Sequence, residues 1–301
     1  TTWFLYRKLK INNNKIRHLI ISICLIFLAT PFSSIFMFAK TVYNIMYNPN
    51  YKSDYQEVFK DITGHIFVDK DNLIISLPNK PKNLVFIMLE STEENFMNEE
   101  VFGSIAKDIK SIAYNGEYYS KIPQIQGSDW TIAGMHTLLC GSPRLYNLMK
   151  SRLFKTVGVS KLVCLSDVLQ KAGYYQLYIG GEFKNFGGKS SFLEMHGYDK
   201  IYGDREIFTE YSNLKEKDLE WGVKDMDVFN IAKDKYIQLS KTGKPFNLTF
   251  NTLSAHAPNG IYDKRCKNST NDGILNAVEC TSDNLKDFID FLKQQPNYKN
   301  T

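Results

Sequence analysis

The sequence predicts an α/β domain, with a mainly parallel sheet flanked by helices, preceded by one transmembrane helix. From residue 83 onward, short apolar runs typical of buried strands alternate with longer segments of helical spacing, which is the pattern of parallel strands joined by crossover helices. A separate apolar run over residues 19–39 has the length that a bilayer requires, about 20 residues. The 301 residues are enough for one large domain with an appendage.

The charge of the chain is spread evenly along it. Its 37 basic and 32 acidic residues give a formal net charge of +5, and the two signs are interspersed rather than gathered in blocks. A nucleic-acid-binding domain usually carries a basic patch or stripe on one face. The sequence therefore predicts no nucleic-acid partner.

The N-terminal segment predicts a membrane anchor. Residues 1–18 are rich in Lys and Arg, and the mostly apolar run LIISICLIFLATPFSSIFMFA follows over residues 19–39. By the positive-inside rule, the basic segment lies in the cytoplasm and everything after Lys40 lies outside. The alternative for residues 19–39 is a buried hairpin of a soluble protein. Residues 40–82, rich in Tyr, Asn, Lys and Asp, are interpreted as a juxtamembrane linker.

The stretch NLVFIMLESTEEN, over residues 83–95, predicts the first strand and a candidate metal ligand. Six consecutive apolar residues, 84–89, indicate a strand buried on both faces. Glu90 then falls at the carboxyl end of the strand, where ligands gather in open α/β sheets. Ser91 and Glu94 have the spacing of a capping box, which predicts that a helix begins directly afterwards. Glu90 is either a metal-binding carboxylate or a charge that stabilises the start of that helix.

The stretch GSDWTIAGMHTLLCGSP, over residues 127–143, predicts a second part of the same site. Residues 127–129 indicate a turn and an N-cap, so a helix begins near Trp130 and Thr131 falls in its first turn. A hydroxyl there lies among unpaired backbone N–H groups, where a phosphate binds and an alkoxide is stabilised. Thr131 is therefore a candidate nucleophile; the alternative is that it only caps the helix.

The remaining elements continue the alternation of strands and helices. The spacing predicts a partly helical stretch over 96–114, a loop over 116–129, helices over 161–172, 189–196, 225–240 and 274–295, and strands over 174–179 and 245–253. His256 comes just after the last of these strands. Because the carboxyl ends of parallel strands meet at one edge of a sheet, we expect His256 at the edge that Glu90 occupies.

Four of the five cysteines lie in the predicted extracytoplasmic part, where an oxidising environment favours disulfide bonds. Sequence order favours the pairs Cys140–Cys164 and Cys266–Cys280, because each pair closes a local loop. A zinc cluster is the alternative, but the sequence has no C-x-x-C spacing.

Several separated motifs together resemble one family. They are LEST at 89–92, WTIAGM at 130–135, CG at 140–141, GG at 180–181 followed by Phe186 and Lys189, GYD at 197–199, WG at 221–222 and HAPNG at 256–260. In this combination, the chain from residue 83 to its end is similar to the membrane-anchored phosphoglycerol and phosphoethanolamine transferases of the alkaline phosphatase and sulfatase superfamily, which include the lipoteichoic acid synthases. HAPNG and the paired downstream cysteines most resemble the bacterial phosphoglycerol transferases acting on periplasmic glucans.

The resemblance implies an alkaline phosphatase-like fold and a two-step transfer at the bacterial inner membrane. A divalent metal, Mn²⁺, Mg²⁺ or Zn²⁺, would be held by Glu90 and Thr131. Thr131 would attack the head-group phosphodiester of a membrane phospholipid, forming a phospho-threonine intermediate and releasing diacylglycerol. A glycan or glycolipid acceptor would then take the phosphoglycerol or phosphoethanolamine group. The catalytic domain, residues 83–301, would face the periplasm or the outside.

The resemblance also assigns substrate contacts. His256 matches a histidine that contacts the phosphate or the leaving group, and Trp130 is assigned to substrate binding. Lys189 falls where lipoteichoic acid synthases carry an arginine, and a lysine supplies a point charge instead of a bidentate fork. Gly187 stands where those synthases have a tryptophan. The family's remaining metal ligands, an aspartate followed by a histidine, are expected beyond the last residue, so the catalytic domain is expected to be incomplete at its C-terminus.

Three other interpretations remain open. The sequence CGSPR at 140–144 is similar to the sulfatase signature C-x-P-x-R, with the proline one position late, and Cys140 would then be the nucleophile of a sulfuric ester hydrolase. A phosphodiester hydrolase would use the site around Thr131 with water as the acceptor. A chain that lacks the second pair of metal ligands would be a non-catalytic binding or structural module.

Overall fold

The computed structural model of the chain describes residues 70, 73–125, 128–141, 162–214 and 221–301. The predicted cytoplasmic segment at 1–18, the predicted membrane helix at 19–39 and most of the predicted linker at 40–82 lie outside these residues, so the membrane anchor stays a prediction. Among the residues that are described, no helix combines the length and the apolar character needed to cross a bilayer.

Strands and helices alternate along the described chain. They are β1 (Leu84–Met88), α1 (Glu99–Phe102), α2 (Lys107–Tyr114), α3 (Thr131–Cys140), α4 (Leu165–Lys171), β2 (Tyr175–Gly180), α5 (Lys189–Met195), β3 (Lys200–Tyr202), α6 (Asp204–Glu210), α7 (Asp225–Ser240), β4 (Phe246–Asn251) and α8 (Gly273–Lys293). Short 3-10 turns lie at Glu94–Met97, Phe186–Gly188 and Tyr298–Asn300.

The four strands form one parallel sheet in the order β1-β4-β2-β3. Leu84 pairs with Asn247 at the start of β1, and Met88 pairs with Asn251 at its end. Gly180, at the end of β2, pairs with the same Asn251. This register makes β1, β4 and β2 end level, so the residues that follow the three strands meet at one edge. The predicted α/β fold with a parallel sheet is confirmed.

Helices cover both faces of the sheet. Successive residues of a strand point to opposite faces, so the strands contribute side chains to two separate cores. Ile179 and Phe250 lie in the larger core, together with Phe229 of α7 and Phe288 of α8. Tyr178 lies in a second core on the other face, together with side chains of α3 and α5. Each fully buried large apolar side chain contributes roughly 1.5–3 kcal/mol through the area that it removes from water. The helix that begins at Thr131 is therefore fixed to the sheet through this second core.

Most predicted elements are confirmed, with shifts at their ends. The helix over 225–240 has the predicted bounds, whereas the helix expected to begin at residue 161 begins at Leu165. Strand β3 and helix α6 were not predicted. Three residues, KIY, are too few to show the two-residue period of a strand, and β3 forms only because it can pair with β2.

The prediction that β1 is buried on both faces is confirmed only in part. Its alternate residues pack against both cores, Val85 and Ile87 against the larger one and Phe86 and Met88 against the second. All five residues of this strand are half-buried. Within the described residues β1 pairs on one side only, with β4, so its apolar run lies at the edge of the sheet rather than in the middle.

The predicted capping box at Ser91 is also wrong. Ser91 adopts a φ of +51°, and a 3-10 turn begins only at Glu94. The Glu94 carboxylate accepts hydrogen bonds from the Tyr118 hydroxyl at 2.6 Å and from the Lys121 backbone N–H at 2.8 Å. Glu94 therefore braces the loop that leads to α3 instead of capping a helix.

Candidate active site

The structure brings Glu90 and Thr131 together at the carboxyl edge of the sheet. Glu90 follows β1 by two positions, and Thr131 is the first residue of α3. The Thr131 hydroxyl donates a hydrogen bond to Glu90 Oε2 at 3.0 Å. Both side chains are half-buried, so a ligand can reach the pair from solvent. A carboxylate and a hydroxyl that lie 41 positions apart in the sequence thus form one site.

Glu90 is held in place by the end of the neighbouring strand. Its backbone N–H donates to the hydroxyl of Thr252 at 2.8 Å, and the Thr252 N–H donates to the Met88 carbonyl at 3.0 Å. Thr252 is fully buried directly after β4. The Ser91 hydroxyl adds a contact of 3.3 Å to the other carboxylate oxygen. Thr252 was not identified from the sequence, although its position after a buried strand at the same edge is a usable signal.

Thr131 is held by the packing of its helix. The N-cap is Trp130, one residue after the predicted turn, and its side chain makes no capping hydrogen bond. Ile132 and Met135, on the face of α3 that meets the sheet, are almost fully buried in the second core. The first backbone N–H groups of a helix have no intrahelical acceptor, and the helix dipole adds positive potential there. The Thr131 oxygen therefore lies where an anion such as a phosphoryl group is favoured.

The Glu90–Thr131 pair has the chemistry and spacing of two ligands of a hard divalent cation. Both atoms are oxygens, and two neighbouring ligands of an octahedral Mg²⁺ at 2.0–2.1 Å lie about 3.0 Å apart. The observed Oε2–Oγ1 distance is 3.0 Å. Within the described ranges, Glu90 belongs to no group of three His, Cys, Asp or Glu side chains close enough to share a metal ion. The residues present therefore fit one side of a metal site.

Lys189 lies in a buried network near this edge. Its ammonium group forms an ion pair with Glu182, two positions after β2, and both side chains are more than nine-tenths buried. The hydroxyl of Tyr178 donates to the side-chain oxygen of Asn251. Burial raises the pKa of Tyr178 well above its usual value, and the charges of Glu182 and Glu90 raise it further. Lys189 thus contacts Glu182 rather than Glu90, a pairing for which the sequence gives no local signal.

His256 lies half-buried after β4, as expected for this edge. Its Nδ1 is 2.7 Å from the Ala257 carbonyl oxygen, which assigns the Nδ1 proton to that contact and leaves Nε2 as an acceptor in the neutral ring. The Trp221 ring stacks on it, with the ring centroids 5.0 Å apart. The described contacts of His256 include neither Glu90 nor Thr131.

The segment that carries His256 is fixed by Asp225. This carboxylate is almost fully buried and accepts from the backbone N–H groups of Leu253 at 2.6 Å and Ser254 at 3.0 Å. It also accepts from the Thr281 hydroxyl at 2.8 Å. Burial raises the pKa of Asp225, against the lowering effect of these hydrogen bonds. Asp225 thereby joins α7, the segment after β4 and α8, and was not identified from the sequence.

Both predicted disulfide bonds, Cys140–Cys164 and Cys266–Cys280, are present. Cys140 is the last of the ten residues of α3, so about 14 Å of helix separates it from Thr131. A sulfur atom in a disulfide has no thiol to convert into the aldehyde nucleophile of a sulfatase. The sulfatase interpretation of residues 140–144 therefore has no support in the described part of that motif, Cys140 and Gly141.

Comparison with known proteins places this geometry in context. A family model described as Sulfatase matches residues 82–301. Phosphoglycerol transferase I of Citrobacter koseri is 32% identical over 234 residues, which cover 75% of this chain and 30% of that protein. The chain thus spans about a third of the length of the curated relatives that it matches.

Solved structures share the fold. A protein of the alkaline phosphatase superfamily from Vibrio parahaemolyticus superposes with a TM-score of 0.58 at 23% identity, over 75% of this chain and 53% of that one. The lipoteichoic acid synthase LtaP from Listeria monocytogenes superposes with a TM-score of 0.57 at 18% identity, over 81% of this chain and 60% of that one. The expected alkaline phosphatase-like fold is confirmed.

Proposed function

The chain belongs to the sulfatase family, and from that premise we propose that it is part of a metal-dependent transferase of phosphoglycerol or phosphoethanolamine. The donor is a membrane phospholipid and the acceptor is a glycan or a glycolipid. One observation carries the proposal: the Thr131 hydroxyl, at the start of α3, donates to the Glu90 carboxylate at 3.0 Å. The names of the relatives that are 32% identical, phosphoglycerol transferase I, support the choice of reaction.

In the first step, the Thr131 oxygen attacks the phosphorus of the donor head group. A bond forms between this oxygen and phosphorus, and the bond to the diacylglycerol oxygen breaks. The hydroxyl of Thr131 loses its proton, and the diacylglycerol oxygen takes up one, so the step is balanced. Glu90 orients the hydroxyl and accepts its hydrogen bond, while the N–H groups at the start of α3 bind the phosphoryl oxygens. A divalent cation held by the Glu90 and Thr131 oxygens would lower the pKa of the hydroxyl and offset the phosphoryl charge.

In the second step, an acceptor hydroxyl attacks the phospho-threonine and restores Thr131. His256 is proposed to exchange the proton of the acceptor or the leaving group through Nε2, since its Nδ1 is engaged by Ala257. Lys189 and Trp130 are proposed to bind the substrate. The Lys189 charge would meet a phosphate while Glu182 holds the ammonium in place. The proposed location is the bacterial inner membrane, with the site facing the periplasm or the outside.

The test is to trap the intermediate on the full-length protein, purified from membranes with Mn²⁺ and incubated with phosphatidylglycerol or phosphatidylethanolamine vesicles. Intact-protein mass spectrometry and peptide mapping should find a phosphoglycerol or phosphoethanolamine adduct on Thr131. Thr137→Ala is a matched control, because this half-buried hydroxyl of the same helix donates only to the Ala133 carbonyl, at 2.9 Å.

We expect Thr131→Ala to abolish both the adduct and the transfer, and Thr137→Ala to retain both. Transfer by Thr131→Ala at the native rate would show that Thr131 is not the nucleophile. Turnover of the donor at an equal rate with and without a glycan acceptor would instead identify a hydrolase.

A further inference from the structure

A buried cluster lies at the end of α3 opposite Thr131, and the proposed reaction uses none of it. Cys140 ends the helix and is bonded to Cys164, the residue before α4. His196 is fully buried, and its Nε2 lies 3.7 Å from Cys164 Sγ. The two sulfur atoms and a ring nitrogen of His196 all lie within 4.8 Å of one another.

A carboxylate orients the histidine from its other side. His196 Nδ1 lies 2.7 Å from Asp167 Oδ2, and the Cys164 backbone N–H donates to the same oxygen at 2.9 Å. Lys70 forms an ion pair with Asp167 Oδ1. Because Asp167 Oδ2 also accepts from the Cys164 N–H, the contact places a proton on Nδ1 of the neutral ring, and the lone pair of Nε2 is then directed at the sulfur.

This arrangement is the one that proteins use to orient a metal-bound histidine, in which the nitrogen away from the metal donates to a carboxylate. The distances agree as well. Around a tetrahedral Zn²⁺ with a sulfur ligand at 2.3 Å and a nitrogen ligand at 2.0–2.1 Å, the two ligand atoms lie about 3.6 Å apart. The Cys164 Sγ–His196 Nε2 distance of 3.7 Å already matches this value.

The charge of the cluster favours the same ion. Lys70 compensates the charge of the Asp167 carboxylate. Two thiolates buried beside this pair would have no positive charge of their own, and burying them would be costly. A bound Zn²⁺ neutralises the two thiolates, and the Asp167–Lys70 pair is already neutral. Cys140 is half-buried, which gives the ion a path from solvent.

We propose that, after a dithiol or phosphine reductant opens the Cys140–Cys164 bond, this cluster binds one Zn²⁺ ion through the two sulfur atoms and His196 Nε2. Water fills the fourth position, and Asp167 is a positioning residue for the histidine. The reductant supplies two electrons, and the two sulfur atoms become thiols by taking up two protons. Each thiol gives its proton to solvent when zinc binds, and the metal does not change its oxidation state.

The second disulfide of the chain provides the comparison. Around Cys266–Cys280, the described residues offer no group of three metal-ligating side chains; Cys280 Sγ instead accepts from the Asn284 side-chain amide at 3.3 Å. Two disulfide bonds of one chain therefore differ in whether a histidine and its carboxylate lie beside the sulfur atoms.

The experiment uses two variants of the full chain. Cys266→Ser/Cys280→Ser keeps the proposed site, and Cys140→Ser/Cys164→Ser keeps the other pair. Each is reduced with tris(2-carboxyethyl)phosphine, freed of the reductant without air, and titrated with Co²⁺, a spectroscopic probe for zinc sites. We expect thiolate-to-cobalt charge-transfer absorption, saturating at one ion per chain and lost on adding Zn²⁺, in the first variant alone. Cobalt on the Glu90 and Thr131 oxygens would give no such absorption.

The absence of this absorption in the first variant, or equal absorption in both, would overturn the proposal. Asp167→Asn, made in the variant that keeps the site, should weaken cobalt binding by about 10–100-fold while keeping the charge-transfer absorption. Circular dichroism of both proteins in the oxidised form checks that they are folded. An unchanged cobalt affinity would remove Asp167 from the site.

Discussion

The two ends of α3 are built in opposite ways. At its N-terminal end, Thr131 and Glu90 are half-buried and meet through one hydrogen bond, so both retain polar capacity for a ligand. At its C-terminal end, a disulfide bond and a buried set of charged and polar side chains hold the helix. The helix is therefore fixed at its C-terminal end, far from Thr131. Its first turn stays accessible to a ligand while it rests on a rigid support.

The largest effect on stability is expected at the anchored end. Asp167→Asn leaves Lys70 without its buried partner and weakens the contact with His196, so we expect the free energy of unfolding to fall by about 3 kcal/mol. Asp290→Asn is the matched control, because Asp290 also pairs with a lysine, Lys286, but on the surface. Urea denaturation of both variants measures the difference. Equal losses would show that the buried contacts of Asp167 do not anchor this end of α3.

The largest effect on activity is expected at the accessible end. Glu90→Gln removes the charge that faces the Thr131 hydroxyl, so we expect transfer by the full-length protein to fall by about 100-fold or more, with the free energy of unfolding almost unchanged. Glu93→Gln, at an exposed position in the same loop, is the control and should keep its activity. A Glu90→Gln protein that transfers normally would remove this carboxylate from the mechanism.

A smaller effect is expected from the side chain that supports Glu90. Thr252→Val keeps the shape but removes the acceptor of the Glu90 N–H, so we expect about 1 kcal/mol of lost stability and a transfer rate lowered about tenfold. Thr249→Val, on the same strand, breaks the contact of a fully buried hydroxyl with Tyr198. It should cost similar stability without lowering transfer. Equal rates for the two variants would contradict a positioning role for Thr252.

The smallest effect is a dependence of stability on pH at the anchored end. The folded-state pKa of Asp167 is depressed below its ordinary value of 3.8. Its contribution to stability is therefore fully present above pH 3.8 and is lost as the pH falls through the folded-state pKa. Urea titrations between neutral pH and the acid limb should show a shallower loss for Asp167→Asn than for the native chain. Parallel curves would show that Asp167 does not titrate as described.

The sequence predicted those features that depend on one element at a time. Glu90 was expected at a strand end and Thr131 at a helix start, and the level ends of parallel strands explain why the two meet. The disulfide pairs also followed from order along the chain. The functional roles of Glu90, Thr131, Lys189 and His256 stay predictions.

Features that depend on contacts between distant segments could not be predicted. The half-buried state of β1 follows from its place in the strand order, which its own apolar run does not encode. Asp167 and His196 lie 29 positions apart, and no local pattern indicates that they pair. Glu94 has the spacing of a capping box but binds Tyr118 instead, because a side chain 24 positions away offers a hydroxyl to it.

The contacts of Asp225 limit which segments of this fold can be exchanged with those of a related protein. One carboxylate accepts from N–H and hydroxyl donors of the segment after β4 and of α8. An asparagine would replace one of the two acceptor oxygens with an amide nitrogen, so the Thr281 hydroxyl could no longer donate to it. A chimaera that takes α7 from one protein and α8 from another keeps this contact only if both proteins have an aspartate and a threonine at the positions of Asp225 and Thr281. We therefore expect that α7, the segment after β4 and α8 can be exchanged between proteins only together, and that segment includes His256.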